Sequence, residues 1–356
     1  MSLTICFSPI IRNGLYGPRL LIIKEEILSK WNKDTTTNEI LEGVDLSGKK
    51  VLVTGASGGL GEETARALAA AGASVIMAAR DSKKNAEAKE RILASNSEAI
   101  LDLHELNLAS LNDVRSSAEE FLGKNESLDL LVNNAGIMCT PFGQTTDGFE
   151  QQFGVNHLGH HLFTGLLMPA LEKAESSRVV CLSSGAHLIC GVNLDDPMFE
   201  RRDYDGWESY GQSKSANALF AREFDRRYTE KGIHAFSVHP GMIFTELGRH
   251  MTEEDMANLI ERRKSQIKAD EESTDSNDMM SPKTVEAGAA TTVWACVEST
   301  LEEQGGHYLA DCQLGVPLAS EDSSPGSCSM ASHILDDEAA EKLWKLSEQL
   351  TGEVFD

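Results

Sequence analysis

The run Val51-Leu52-Val53-Thr54-Gly55-Ala56-Ser57-Gly58-Gly59-Leu60-Gly61 decides the fold. Its first half is an apolar, β-branched stretch of strand length, its second half a cluster of small residues, and Gly61 to Ala71 continues with helical spacing. A turn of this kind suits phosphate. Gly55 permits the tight turn, Gly59 lets backbone N–H groups approach a pyrophosphate, and Gly61 lets the helix lie close to the strand. Ser57, Gly58 and Leu60 complete the cradle, with the helix N-terminus facing the phosphate charge. Glycines alone would suit any strand-to-helix turn, so it is their setting that points to a dinucleotide.

Working outward, short Val/Ile/Leu runs alternate with helix-patterned segments. Strands are expected at Lys50 to Thr54, Ser74 to Ala79, Ile100 to Glu105, Leu128 to Asn133, Arg178 to Ser183 and His234 to Val238, with a last short one at Gly306 to Leu309. Helices are expected at Gly61 to Ala71, Lys83 to Ala94, Leu111 to Leu122, Phe149 to Leu171, Tyr210 to Lys231, Lys283 to Val297 and Asp336 to Leu350, the last of them peripheral. This repeat predicts an α/β protein: a Rossmann-type, doubly wound parallel sheet in a three-layer α/β/α sandwich. The expected organisation is an N-terminal appendage over 1–45, with one amphipathic helix at Ile22 to Trp31. A single domain follows over 46–318, then a C-terminal loop (Ser320 to Cys328) and helix within 319–356. Two insertions interrupt the rhythm, Gly191 to Ser209 and about 249–283. The second is either a substrate lid or a solvated flap, since loops leaving the carboxyl ends of parallel strands border the ligand crevice.

Composition narrows the function. At 356 residues and 41% apolar content the chain can bury a large core. A net charge of -24 works against phosphate backbones and anionic lipid surfaces, so no nucleic acid is expected. The N-terminal apolar stretches are broken by Pro9, Arg12, Asn13 and Pro18, and no membrane span or signal peptide is expected. Seven scattered cysteines without a Cys-x-x-Cys pair suggest neither disulfides nor zinc, but a reducing, cytoplasmic setting.

The second strand bears on the cofactor. A carboxylate at its end would accept hydrogen bonds from the ribose diol of NAD, whereas a cation suits the extra phosphate of NADP. Here it ends Met77-Ala78-Ala79-Arg80, which favours NADP(H) and leaves NAD(H) possible. The alternative is a surface Arg80 paired with Asp81. The third strand ends near Asn107-Leu108, where a polar side chain can reach an adenine edge. Tyr210 and Lys214 stand four apart, on one helix face. A free phenol, with a pKa of about 10, is a poor base at neutral pH, and a neighbouring ammonium pulls that value down. Ser183 and Ser184 end the fifth strand, His239-Pro240-Gly241 the sixth, and Asn133-Asn134-Ala135-Gly136 the fourth, so several strands finish in small or polar turns at one rim.

With these elements in place, the chain resembles a short-chain dehydrogenase/reductase over roughly 46 to 315. The matching elements are Thr-Gly-x-x-x-Gly-x-Gly at 54 to 61, Asn-Asn-Ala-Gly at 133 to 136, Asn156, the Ser-Ser pair, Tyr-x-x-x-Lys and Pro-Gly. The resemblance implies an NAD(P)-dependent oxidoreductase. Tyr210 would be the general acid in reduction and base in oxidation, and Ser184 would bond the substrate oxygen. Lys214 would bond the nicotinamide ribose and tune Tyr210, and Asn156 would hold a water linking Lys214 to solvent. Ile243 and Thr245, after Pro240-Gly241, would contact the nicotinamide amide. The spacing of 26 residues from Ser184 to Tyr210 is about twice the commonest one. That longer form, Asn156-His157-Leu158-Gly159-His160 and Arg80-Asp81 resemble the retinol dehydrogenase-like and WW-domain-containing oxidoreductase-like branch, which implies a lipophilic carbonyl or alcohol substrate. Homodimers or homotetramers are usual in the family.

His157, His160 and His161 share one helix at metal-ligand spacing, but no partner carboxylate or thiol is identifiable and no metal is expected. Trp207, Met242, Phe244, Met251 and Met256 line an apolar pocket or belong to the core. Two other functions fit the same fold: a non-catalytic dinucleotide sensor or scaffold, and a reductase of carbon–carbon double bonds.

Overall fold

Apolar runs that are buried on both faces make the centre of the molecule. The structure, a computed structural model, describes residues 30–266, 282–318 and 326–355. Strands β1 (Lys50–Thr54), β2 (Ser74–Ala79), β3 (Ile100–Glu105), β4 (Leu130–Asn133), β5 (Ser177–Leu182), β6 (Ile233–His239), β7 (Tyr308–Ala310) and β8 (Gln313–Leu314) form one sheet in the order β3-β2-β1-β4-β5-β6-β7-β8. All neighbours are parallel except β7 and β8. Every residue of β4 and β5 is buried, whereas β3, at the sheet edge, exposes four of its six. This is the difference between an interior parallel strand and an edge. The strand order reverses between β1 and β4, so their carboxyl ends, Thr54 and Asn133, bound the crevice of a doubly wound sheet.

Helices cover both faces: α1 (Thr37–Ile40), α2 (Gly59–Ala70), α3 (Ser82–Ser95), α4 (Leu111–Lys124), α5 (Gln151–Phe153), α6 (Gly159–Leu166), α7 (Met168–Leu171), α8 (Gly206–Tyr228), α9 (Glu253–Gln266), α10 (Val285–Val297) and α11 (Asp337–Thr351). The helix expected over Phe149 to Leu171 is instead three pieces. A π turn at Gly154–Leu158 carries Asn156, and the chain breaks at Leu167 before Pro169, which cannot donate an N–H to the preceding turn. α8 starts four residues earlier than the spacing predicts, because the Asp205 carboxylate caps the Glu208 N–H at 2.8 Å.

More of the chain joins the core than the sequence reading assigned. Residues Trp31–Asp356 form one compact unit. Ile40 and Leu46 are buried with α2 and α10, and the Trp31 carbonyl accepts the Gln313 side chain at 2.6 Å. α11 is far from peripheral: Trp344 is 2% exposed and stacks on Phe220 of α8. The expected Ile22 to Trp31 helix falls outside the described residues except for its last two. So do 267–281 of the second insertion and 319–325 of the expected C-terminal loop. Among the described residues, no helix is long and apolar enough to cross a membrane.

Candidate active site

The switch point between β1 and β4 is tied by one hydroxyl. Thr54 Oγ1 accepts the backbone N–H groups of Asn134 and Ala135, both at 2.9 Å, and the Asn134 carboxamide donates back to the Thr54 carbonyl at 2.7 Å. His160 Nδ1 faces the Asn156 carbonyl at 3.0 Å and so donates, which leaves Nε2 as the acceptor for the Thr54 hydroxyl at 2.9 Å. The π turn and the glycine-rich turn are thereby joined through a neutral imidazole, whose pKa burial pushes down to about 4. The other two histidines go elsewhere. His157 bonds Ser347 at 2.8 Å, and His161 packs among Phe220, Trp344 and Phe355. Among the described residues no group of three His, Cys, Asp or Glu side chains is placed to hold a metal.

The glycine-rich turn has the close packing its spacing implies. Gly55 has φ +68°, and a Cβ on Gly61 would stand 2.3 Å from the Gly55 carbonyl oxygen and 2.5 Å from Asn134 Nδ2. No larger residue fits there. Above this turn lies a cavity of about 1210 Å³. It is lined by Gly55, Ser57, Gly58, Gly59, Leu60, Gly61, Arg80, Asn107, Leu108, Asn134, Ala135, Gly136, Ser184, Tyr210, Lys214, Pro240, Gly241, Ile243 and Thr245. Asn156 stands behind this wall, fully buried. Its carboxamide bonds the Ile137 backbone at both ends, at 2.9 Å each, and reaches Ser213 at 3.0 Å. Gly136 lies between it and Lys214, since a Cβ there would meet Asn156 Oδ1 at 3.3 Å and Lys214 Nζ at 3.6 Å.

The two serines part company. Ser183 Oγ donates to the Lys214 carbonyl at 2.8 Å, whereas Ser184 Oγ accepts the Ala186 N–H at 3.1 Å and lies near enough to the Tyr210 phenol to lower its pKa. Tyr210 is 4% exposed, and burial raises its pKa against the lowering effect of Ser184. Burial, and not the Lys214 charge expected to lower it, sets the direction of this shift. Lys214 responds to the same burial by dropping to about 8, while its Nζ donates to the Leu182 carbonyl at 2.9 Å.

Arg80 ends β2 at the cavity edge. Asp81 caps α3 by accepting the Lys84 N–H at 3.0 Å, and among the described residues none ion-pairs with Arg80. Lys33 and Lys84 line the same cavity, the first from a segment whose role the sequence did not reveal. The Thr36-x-x-Glu39 capping box was the available sign that this segment is ordered, although nothing in it marks Lys33. The same cavity has apolar lining as well, from Met138, Ile189, Trp207, Met251 and Met256. The Lys283–Asp311 ion pair and residues Gly326–Ser329 also reach the cavity, unannounced by any motif.

Residues 49–256 match the short chain dehydrogenase family. Mouse (Mus musculus) retinol dehydrogenase 12 is 36% identical over 87% of this chain and 88% of its own length. The short-chain dehydrogenase/reductase prx1 of Penicillium roqueforti is 38% identical over 85% of each chain. A crystal structure of an uncharacterised Mycobacterium paratuberculosis protein, 32% identical, superposes with a TM-score of 0.66 over 92% of this chain and all of that one.

Proposed function

The chain belongs to the short-chain dehydrogenase family, in its retinol dehydrogenase-like branch, and is an NAD(P)-dependent oxidoreductase; from that premise we propose that it interconverts a ketone or aldehyde and an alcohol on a lipophilic or aromatic small molecule, using NADP(H). The observation that carries this reading is that Ser184, Tyr210 and Lys214 line one cavity with the glycine-rich turn, which brings a proton donor and an oxygen anchor into one site. The relatives' names support the alcohol chemistry, and the apolar wall from Met138 to Met256 supports the substrate class.

The cavity suits a dinucleotide, because Gly58 and Gly59 line it with bare backbone where α2 begins, so that the helix N-terminus meets it. Bound NADP(H) supplies the hydride at nicotinamide C4. In reduction, Tyr210 gives its proton to the substrate oxygen while the Ser184 hydroxyl bonds the same oxygen. Burial keeps the phenol protonated, which suits an acid. Lys214, which lines the same cavity, would bond the nicotinamide ribose as an ammonium. With its carboxamide spent on Ile137 and Ser213, Asn156 would hold a relay water through its backbone carbonyl oxygen, which also accepts from His160 Nδ1. Arg80, with Lys33 and Lys84 on the same cavity, would hold the phosphate that distinguishes NADP. Asn107 and Leu108 would border the adenine, Asn134, Ala135 and Gly136 the ribose, and Pro240, Gly241, Ile243 and Thr245 the nicotinamide, all of them lining this cavity. The free thiols among the described residues suit a reducing compartment, which we take to be the cytoplasm.

The test is fluorescence titration with NADPH and NADH, followed by a turnover screen of lipophilic ketones, aldehydes and alcohols on the wild type and Tyr210→Phe. The expected result is tight NADPH binding by both proteins and turnover by the wild type alone. Retention of most activity by Tyr210→Phe would remove the proton role. Tight binding without turnover across the panel would make the protein a sensor or scaffold, and a saturated product with the carbonyl intact would make it a double-bond reductase.

A further inference from the structure

β6 ends on His239, directly before Pro240-Gly241, and the imidazole looks back into the cavity wall. His239 Nδ1 accepts the backbone N–H of Gly185 at 3.1 Å and that of Gly241 at 3.3 Å. A ring nitrogen that accepts two N–H groups carries no proton, so the neutral ring has its proton on Nε2. One atom therefore serves two turns: the one that presents Ser184 at the end of β5, and the one that follows β6.

The second turn is held from its other side as well. Gly241 has φ +92°, and a Cβ there would meet Lys283 Cε at 2.7 Å. The Lys283 N–H donates to the Met242 carbonyl at 2.8 Å, and its ammonium pairs with Asp311. Lys283 fixes the outer side of the turn, while His239 fixes the inner side and extends that restraint to Ser184. With no acceptor at this place, two partly buried N–H groups would lose their partner and both turns would relax independently.

We propose that His239 is a positioning residue whose Nδ1 sets the separation between Ser184 and the Pro240-Gly241 turn, and with it the distance over which hydride passes between substrate carbon and nicotinamide. The proposal rests on the oxidoreductase reading for what those two turns hold. Its structural half does not, and the test keeps the two apart.

The first measurement is the ¹⁵N spectrum of the histidine rings in the full chain, with His239→Asn assigning the signal. An unprotonated Nδ1 and a protonated Nε2 are expected, together with slowed amide exchange at Gly185 and Gly241 that is lost in His239→Leu. A protonated Nδ1, or exchange unchanged in His239→Leu, overturns the proposal whether or not the protein proves to be an enzyme. The second measurement is turnover with NADPH and with NADPH deuterated at the transferred position. His239→Leu should lower kcat by about tenfold to a hundredfold and raise the primary isotope effect, with NADPH affinity within about threefold of wild type. His239→Asn, whose carboxamide oxygen can accept an N–H, should recover part of the rate. If His239→Leu only lowers the folded fraction and keeps wild-type kcat and isotope effect per folded molecule, the residue is structural and the proposal fails. If the wild type reduces no carbonyl compound, the oxidoreductase reading is what has failed, and the ring and exchange data still decide the geometry.

Discussion

The Trp207 indole N–H donates to the Asp255 carbonyl oxygen at 2.9 Å, and the same indole meets the Tyr210 ring edge-on with 6.2 Å between centroids. Trp207 lies in the first turn of α8 and Asp255 in the first turn of α9, so one side chain joins the helix of Tyr210 to the second insertion.

Trp207→Phe keeps an aromatic ring but removes that N–H. KM for a lipophilic carbonyl substrate should rise about twofold to tenfold, the worth of one hydrogen bond. NADPH affinity should stay within about twofold. If KM is unmoved and NADPH affinity falls instead, α9 closes over the cofactor and not over the substrate.

Arg80→Ala should weaken NADPH by at least about tenfold, because a charge-assisted contact to phosphate is lost, and leave NADH nearly unchanged. Parallel titrations decide it. Equal weakening of the two would mean that Arg80 does not read the NADP phosphate.

Lys214 has a folded pKa of about 8 against an ordinary 10.5, so between those values the unfolded chain binds more protons and stability rises with pH. At pH 7 the buried ammonium costs the fold up to about 3 kcal/mol. Lys214→Met should therefore melt higher than wild type at pH 7, with the gap closing as pH rises from about 8 toward 10.5, and turnover should be lost. A Met variant that melts lower at pH 7 would show that the Leu182 hydrogen bond outweighs desolvation.

Gly61→Ala places a methyl 2.3 Å from the Gly55 carbonyl oxygen, against backbone that cannot yield cheaply. Overpacking of this kind costs about 1–3 kcal/mol, and the displaced turn should lose more than about tenfold in NADPH affinity. Wild-type affinity in the folded variant would show that the close approach is not what shapes the cradle.

β1, β2 and β3 have the limits their spacing predicts, Lys50–Thr54, Ser74–Ala79 and Ile100–Glu105. Tyr210 and Lys214 likewise fall on one helix and line one cavity. Both results are local. A run of strand length bounded by turn residues reads as a strand whether it ends up interior, as β1 and β2, or at the edge, as β3, and residues four apart on a helix share a face whatever packs against it.

What the sequence by itself determined was therefore the doubly wound sheet, the glycine-rich turn and the set of residues gathered at its rim. The tertiary structure decided the rest: that Ser183 is tied to the Lys214 carbonyl while Ser184 is the serine that acts on the Tyr210 phenol, that His160 joins Thr54 to the Asn156 turn, that His239 bridges two strand ends, and that Lys33 and Trp344 belong to the body of the protein. Each depends on contacts between residues far apart in the chain, which no spacing encodes. The protonation of the site follows the same rule, since the high pKa of Tyr210 and the low one of Lys214 come from burial by every neighbour at once and not from the i, i+4 pair alone.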